Sequence, residues 1–161
     1  MSTVLSEEEV SDIFSVLHDG VIEYSKRFGD TLSLVVSVLY LTDRMRGAEM
    51  VHFTITGYRN PEFSAWMHEG DSKIISDFTL ANLSILSAKV VDGRIRAFLS
   101  NDNPDLPYSG GTLTFDCDSY SIEAPKGIRI TLDYIKEVAT KYWDFLDTTT
   151  NQIVTGARRC R

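Results

Sequence analysis

Apolar residues recur at helical spacing in the first part of the chain. Ser6 and Glu9 have the spacing of a capping box, in which each side chain bonds the backbone amide of the other residue. The apolar positions that follow lie on one face of a helix and are Val10, Ile13, Phe14 and Leu17. Gly20 can take a positive φ and predicts the end of this helix.

From Val21 onward the apolar positions alternate with polar ones, which is the period of β-strands. Gly29-Asp30 separates two such runs, residues 21–28 and 31–41, and predicts a hairpin turn. Asp92-Gly93 predicts a second hairpin, and the alternation changes parity near Asp118-Ser119, where we expect a bulge or corner. The middle of the chain is therefore predicted to form an antiparallel sheet.

Three places interrupt this alternation. Asn60-Pro61 predicts a turn out of the sheet, which would leave Phe63 and Trp66 in a short helical or irregular segment. A break near Ala81-Asn82 divides a run that is too long for one typical strand. Residues 101–111 are rich in Asn, Asp, Pro, Ser and Gly and predict an exposed loop.

A second amphipathic pattern follows the strands. Thr131 can cap a helix whose apolar face includes Leu132 and Ile135, and this pattern fades after Asp147. The sequence thus predicts an α+β fold: a mostly antiparallel, twisted sheet of about six to eight strands, as a sandwich or an open barrel, with an N-terminal and a C-terminal helix. Residues 1–147 are predicted to form one globular domain and residues 148–161 a flexible tail.

Charge narrows the range of partners. The 161 residues carry a formal net charge of −7, which opposes binding to nucleic acids and to anionic membrane surfaces. No apolar run is long enough to span a membrane, and the two cysteines lack the spacing of a metal or redox motif. We therefore expect a cytoplasmic protein that binds neither nucleic acid nor membrane and needs no cofactor.

A few side chains could support acid–base chemistry. His18-Asp19 could be a general base with its orienting carboxylate, or simply the polar end of the first helix. Asp116 and Asp118 could be paired carboxylates, or ordinary outward charges on a strand. The histidines show no metal-ligand spacing, so no catalytic residue and no metal site is predicted.

Aromatic residues near polar loops are the other candidates. Tyr58, Trp66 and Tyr108 lie beside predicted turns, where an aromatic side chain can anchor a partner. Together with His18 and Asp19 they form the predicted set of binding residues.

The order of these elements resembles a group of small, β-rich bacterial proteins. The resemblance starts at the step from Leu17 to Gly20, which contains His18-Asp19, and continues through the predicted strands to Ala124. It is to the immunity proteins of polymorphic toxin systems and covers residues 17–124. The resemblance implies a non-enzymatic protein that binds and blocks a toxin.

Three functions remain as hypotheses. The first is a protein-interaction module, such as an immunity-type inhibitor, whose acidic surface attracts a basic partner. The alternative is a small-ligand-binding domain with a cavity between sheet and helices, lined by Tyr58, Trp66 and Tyr108. The third is an enzyme that uses His18, Asp19 or Asp116. The sequence leaves self-association into a homo-oligomer open.

Overall fold

The computed structural model describes residues 7–38 and 50–157, with side chains up to residue 148. Helix α1 spans Glu7–Val16 and helix α2 spans Leu132–Ala157. The strands are β1 Val21–Phe28, β2 Thr31–Ser37, β3 Met50–Thr56, β4 Arg59–Met67, β5 Ser72–Ile75, β6 Leu83–Val91, β7 Arg94–Asn101, β8 Tyr108–Asp116, β9 Ser119–Ala124 and β10 Ile128–Arg129. The predicted Ser6 cap lies outside the described residues.

The strands form one antiparallel sheet in the order β10-β9-β3-β2-β1-β6-β7-β8-β4-β5. The α+β class, the antiparallel sheet and the two terminal helices are confirmed. The predicted strand number was too low, because the described residues form ten strands, and the sheet does not close. The short strands β5 and β10 form its two edges, and such short segments give little alternation for a pattern to detect.

The sheet curls around the first helix. The Phe14 ring of α1 lies 5.3 Å from that of Phe53 on β3 and 6.1 Å from that of Phe115 on β8. Those two strands are five places apart in the sheet, a separation of about 24 Å if the sheet were flat. Both can reach one ring only because the sheet folds back on itself, so that α1 fills the interior between its two halves.

Two connections cross between the halves side by side. One leads from β3 through Gly57 and Tyr58 to β4, and the other leads from β8 through Asp118 to β9. The Asp118 amide donates to the Thr56 carbonyl at 2.9 Å, which joins the two crossings. This is the corner that the change of parity near Asp118-Ser119 predicted.

The second helix packs over the first. Thr131 caps it, since its hydroxyl accepts from the Tyr134 amide at 3.2 Å, as the sequence predicted. Ile135 is fully buried, and Lys136 donates to Asp12 of α1 at 2.7 Å. Helical backbone continues to Ala157, beyond the point at which the apolar pattern ends. The flexible tail over residues 148–161 stays a prediction.

One predicted interruption was wrong, and the loop predicted over residues 101–111 is confirmed only for residues 102–107. Strand β4 runs through Asn60-Pro61, because a register shift between Arg59 and Glu62 places the proline where it need not donate to β8. Strand β8 begins at Tyr108, inside the segment that was predicted to be an exposed loop. Gly110 and Gly111 are therefore buried strand residues.

Candidate binding site

A cavity of about 230 Å³ opens beside the β1–β2 hairpin. Its apolar lining consists of Leu32, Tyr58, Pro61, Phe78 and Leu80. Its polar lining consists of Ser25, Lys26, Arg27 and Ser76. The lining thus combines an apolar wall with a few polar groups, which is the usual composition of a site for a small molecule.

The cavity exists because two neighbouring strands separate. Strands β1 and β6 share one residue pair, Val21 with Ser84, at the start of both strands. Beyond that pair β1 continues along β2, while the segment before β6 turns away at Asn82, whose amide donates to the Ile22 carbonyl at 2.7 Å. The space between the second half of β1 and residues 76–80 remains unfilled.

Tyr58 forms part of the deep wall of the cavity. It is only 2% exposed, its amide donates to the Asp30 carbonyl at 2.7 Å, and its ring lies 5.1 Å from that of Phe115. Burial raises the pKa of Tyr58 to about 12, although the charge of Arg27 partly opposes this shift. The phenol therefore stays neutral at physiological pH and can both donate and accept a hydrogen bond.

Arg27 is held against that tyrosine. Its Nε donates to the Gly29 carbonyl at 2.9 Å, and its guanidinium carbon lies 5.2 Å from the centre of the Tyr58 ring. A guanidinium stacked on an aromatic ring keeps its in-plane N–H groups available. Lys26, the preceding residue, places its ammonium 4.4 Å from the centre of the Phe28 ring instead.

The predicted binding aromatics do not form one site. Tyr58 precedes β4 whereas Trp66 lies near its end, and eight steps of strand correspond to about 25 Å. Tyr108 is 5% exposed and packs edge-on against Phe63, with 5.8 Å between ring centres. Of the three, Tyr58 alone lines the cavity.

His18 and Asp19 do meet, at a different place. The His18 Nε2 lies 3.3 Å from an Asp19 carboxylate oxygen, and its Nδ1 lies 2.5 Å from the Leu86 carbonyl of β6. Asp19, rather than Gly20, takes the left-handed conformation that ends the helix, with φ at 62°. The imidazole thus ties the end of α1 to the sheet. The pair precedes β1, whereas the cavity adjoins its second half.

Asp116 is bound by an arginine and an asparagine at the corner. One carboxylate oxygen accepts from Asn60 at 2.7 Å and the other from Arg94 at 2.9 Å. These hydrogen bonds, that of Asn60 first, lower the pKa of Asp116. Its neighbour Asp118 binds both terminal nitrogens of Arg59 at 2.8 Å. A lowered pKa weakens a general base, and these bonds hold the crossing connections together.

We expect the contribution of Asp116 to stability to disappear in acid. Because its pKa is lowered in the folded state, this contribution is complete above the unfolded value of 3.8 and is lost as the pH falls through the folded value. Asp116→Asn should lower the free energy of unfolding by about 1 kcal/mol at neutral pH, the upper range for a surface ion pair. Urea titrations from pH 7 to about pH 2.5 should show this difference shrinking in acid. A difference that stays constant with pH, or an equal one for the exposed loop carboxylate in Asp105→Asn, would contradict this role.

The sequence pointed to Tyr58 but missed its partners in the cavity. Arg27 looked like one of several polar residues on β1, and Phe78 like a core residue of its own segment. One signal was present: three consecutive polar residues, Ser25, Lys26 and Arg27, leave β1 without an apolar face in its second half. That pattern indicates that β1 leaves the core there.

Within residues 7–38 and 50–157, no three His, Cys, Asp or Glu side chains are placed to hold a metal ion. No helix in this part of the chain is both long enough and apolar enough to cross a membrane.

Comparison of the chain with protein-family models, with curated proteins and with solved structures gives no match. The resemblance to immunity proteins therefore stays a prediction.

Proposed function

We propose that this protein is a binding domain that holds a small molecule in the cavity beside the β1–β2 hairpin. The observation that carries this proposal is the lining of the cavity, in which a buried tyrosine and an apolar wall face Arg27 and two serines. Its volume of about 230 Å³ is below the range of about 300–1,000 Å³ that holds drug-sized ligands, so the ligand is a smaller molecule.

Two further features support a ligand rather than an accidental gap. Tyr58 is fixed through its backbone amide and its ring, and Arg27 through its Nε and its stacking on Tyr58. Side chains that are already held in place lose less conformational entropy when a ligand binds.

A second candidate function is the protein-interaction module. The exposed edges of the sheet favour it, since Ile74 on β5 and Ile128 on β10 are 68% and 62% exposed. An edge strand can accept a strand from another protein. With a net charge of −7, a basic partner such as a toxin fits this candidate, and their association should weaken as salt is added.

Filling the cavity should abolish ligand binding without unfolding the protein. A metabolite library is screened by thermal shift on the full chain, where a ligand at 100 times its Kd should stabilise the fold by about 2.7 kcal/mol. For a domain of this size that raises Tm by about 5–10 °C. Ser76→Trp places an indole at an exposed position on the rim and should remove the shift.

Ser72→Trp provides the matched control, because Ser72 is also exposed but does not line the cavity. It should keep the full thermal shift. The proposal fails if no library member shifts Tm, or if a shift survives in Ser76→Trp.

A further inference from the structure

Arg27 has a different kind of hydrogen-bond partner from Arg59 and Arg94, the two arginines at the corner. The guanidinium groups of Arg59 and Arg94 are each matched by a carboxylate, those of Asp118 and Asp116. Among the described residues, Arg27 has no carboxylate partner, and its Nε bonds a neutral carbonyl. In a chain with a net charge of −7, this leaves an unmatched positive charge at the cavity.

The other lining groups do not supply the missing negative charge. No Asp or Glu lines the cavity, and the Tyr58 phenol is neutral at physiological pH. The Lys26 ammonium lies over the Phe28 ring, so the argument rests on Arg27 alone. The hydroxyls of Ser25 and Ser76 add donors that an anion can use.

We infer that the ligand of this cavity is a small organic carboxylate with an apolar body. This inference rests on the proposed function and names the chemical class of its ligand. The terminal nitrogens of Arg27 bind the carboxylate as a pair, which is the arrangement that a planar guanidinium favours. The apolar body lies against the wall that Phe78 and Leu80 form.

The apolar wall distinguishes this ligand from an inorganic anion. Phosphate would satisfy Arg27 but would leave the partly exposed side chains of Phe78 and Pro61 without an apolar contact. A dianion would also meet only one arginine to balance its two charges. A monocarboxylate with a short aliphatic or aromatic body can pair its charge with Arg27 and pack its body against the apolar wall.

The test compares charged probes with neutral probes of the same shape. Benzoate and hexanoate are titrated into the 15N-labelled full chain, alongside benzamide, hexanamide and inorganic phosphate. Binding is followed by amide chemical shifts at residues 25–27, at Tyr58 and at residues 76–80. We expect the carboxylates to bind about tenfold more tightly than the amides, because a hydrogen bond between two charged groups is stronger than one to a neutral amide.

Variants then assign the effect to one side chain. Arg27→Gln should weaken benzoate binding about tenfold and leave benzamide binding unchanged, whereas Arg27→Lys should retain part of the preference for benzoate. Lys73→Gln is the control, since it removes a positive charge from an exposed residue of β5 that does not line the cavity, and it should leave the ratio of benzoate to benzamide affinity unchanged. A Tm close to that of the unmodified protein shows that each variant is folded.

Three results would overturn the inference. The first is equal binding of amide and carboxylate, which would leave a cavity for neutral molecules. The second is tighter binding of phosphate than of benzoate. The third is the absence of shifts at the cavity with either carboxylate. None of these decides the proposed function, which fails only on the library screen and the Ser76→Trp variant.

Discussion

Replacing Phe14 with alanine should lower the free energy of unfolding by about 3–5 kcal/mol, the range for removing a buried phenylalanine. Phe14 is 1% exposed and lies between Phe53 and Phe115, which belong to opposite halves of the curled sheet. Edge-to-face and tilted ring pairs add to the stability that burial provides. Because both halves contact this ring, neither can move in to fill the space without straining the sheet. Urea unfolding followed by circular dichroism measures the loss.

Phe28→Ala is the matched control for this variant. Phe28 is 58% exposed at the end of β1, with the Lys26 ammonium over its ring. Removing its side chain should lower the free energy of unfolding by less than about 1 kcal/mol, since an exposed cation–π pair contributes about 0.5–1 kcal/mol. If Phe14→Ala is no more destabilising than Phe28→Ala, then α1 does not fill the interior as described.

Local signals account for the features that the sequence predicted correctly. The turns at Gly29-Asp30 and Asp92-Gly93, the Thr131 cap and the corner near Asp118 each depend on a few adjacent residues. Side-chain chemistry at such positions acts directly on the neighbouring backbone, so a pattern of a few residues is sufficient.

Features that depend on distant parts of the chain were not predicted. Asn60-Pro61 is a turn signal by itself, yet Asn60 takes a φ of 50° within a bulged strand because β8 pairs with both sides of the bulge. The cavity depends on the separation of β1 from β6, and residues 25–27 and 76–80 meet across it. Tyr58 could be named as a candidate from its neighbours, but its contact with Arg27 follows from the folded chain alone.

Replacing Gly110 with alanine should lower the free energy of unfolding by about 3 kcal/mol or more. Gly110 is buried in β8 with φ at 153°, a conformation that L side chains rarely adopt. A Cβ there would clash with the Leu99 carbonyl oxygen and would lie 2.9 Å from the Ser100 Cα, both backbone atoms of β7. Strain and overpacking each cost about 1–3 kcal/mol, and the backbone of a paired strand cannot move away as a side-chain end could. Urea unfolding of the variant measures the cost.

Gly29→Ala separates the two contributions, because Gly29 also has a positive φ, of 60°, but nothing lies within 4 Å of its added Cβ. In this control the free energy of unfolding should fall only by the cost of a positive φ for alanine, about 1 kcal/mol. A larger loss for Gly110→Ala than for Gly29→Ala therefore measures how closely β7 and β8 approach at this point. Equal losses would mean that β7 does not approach Gly110 closely, and that the start of β8 is an open loop, as the composition of residues 101–111 had indicated.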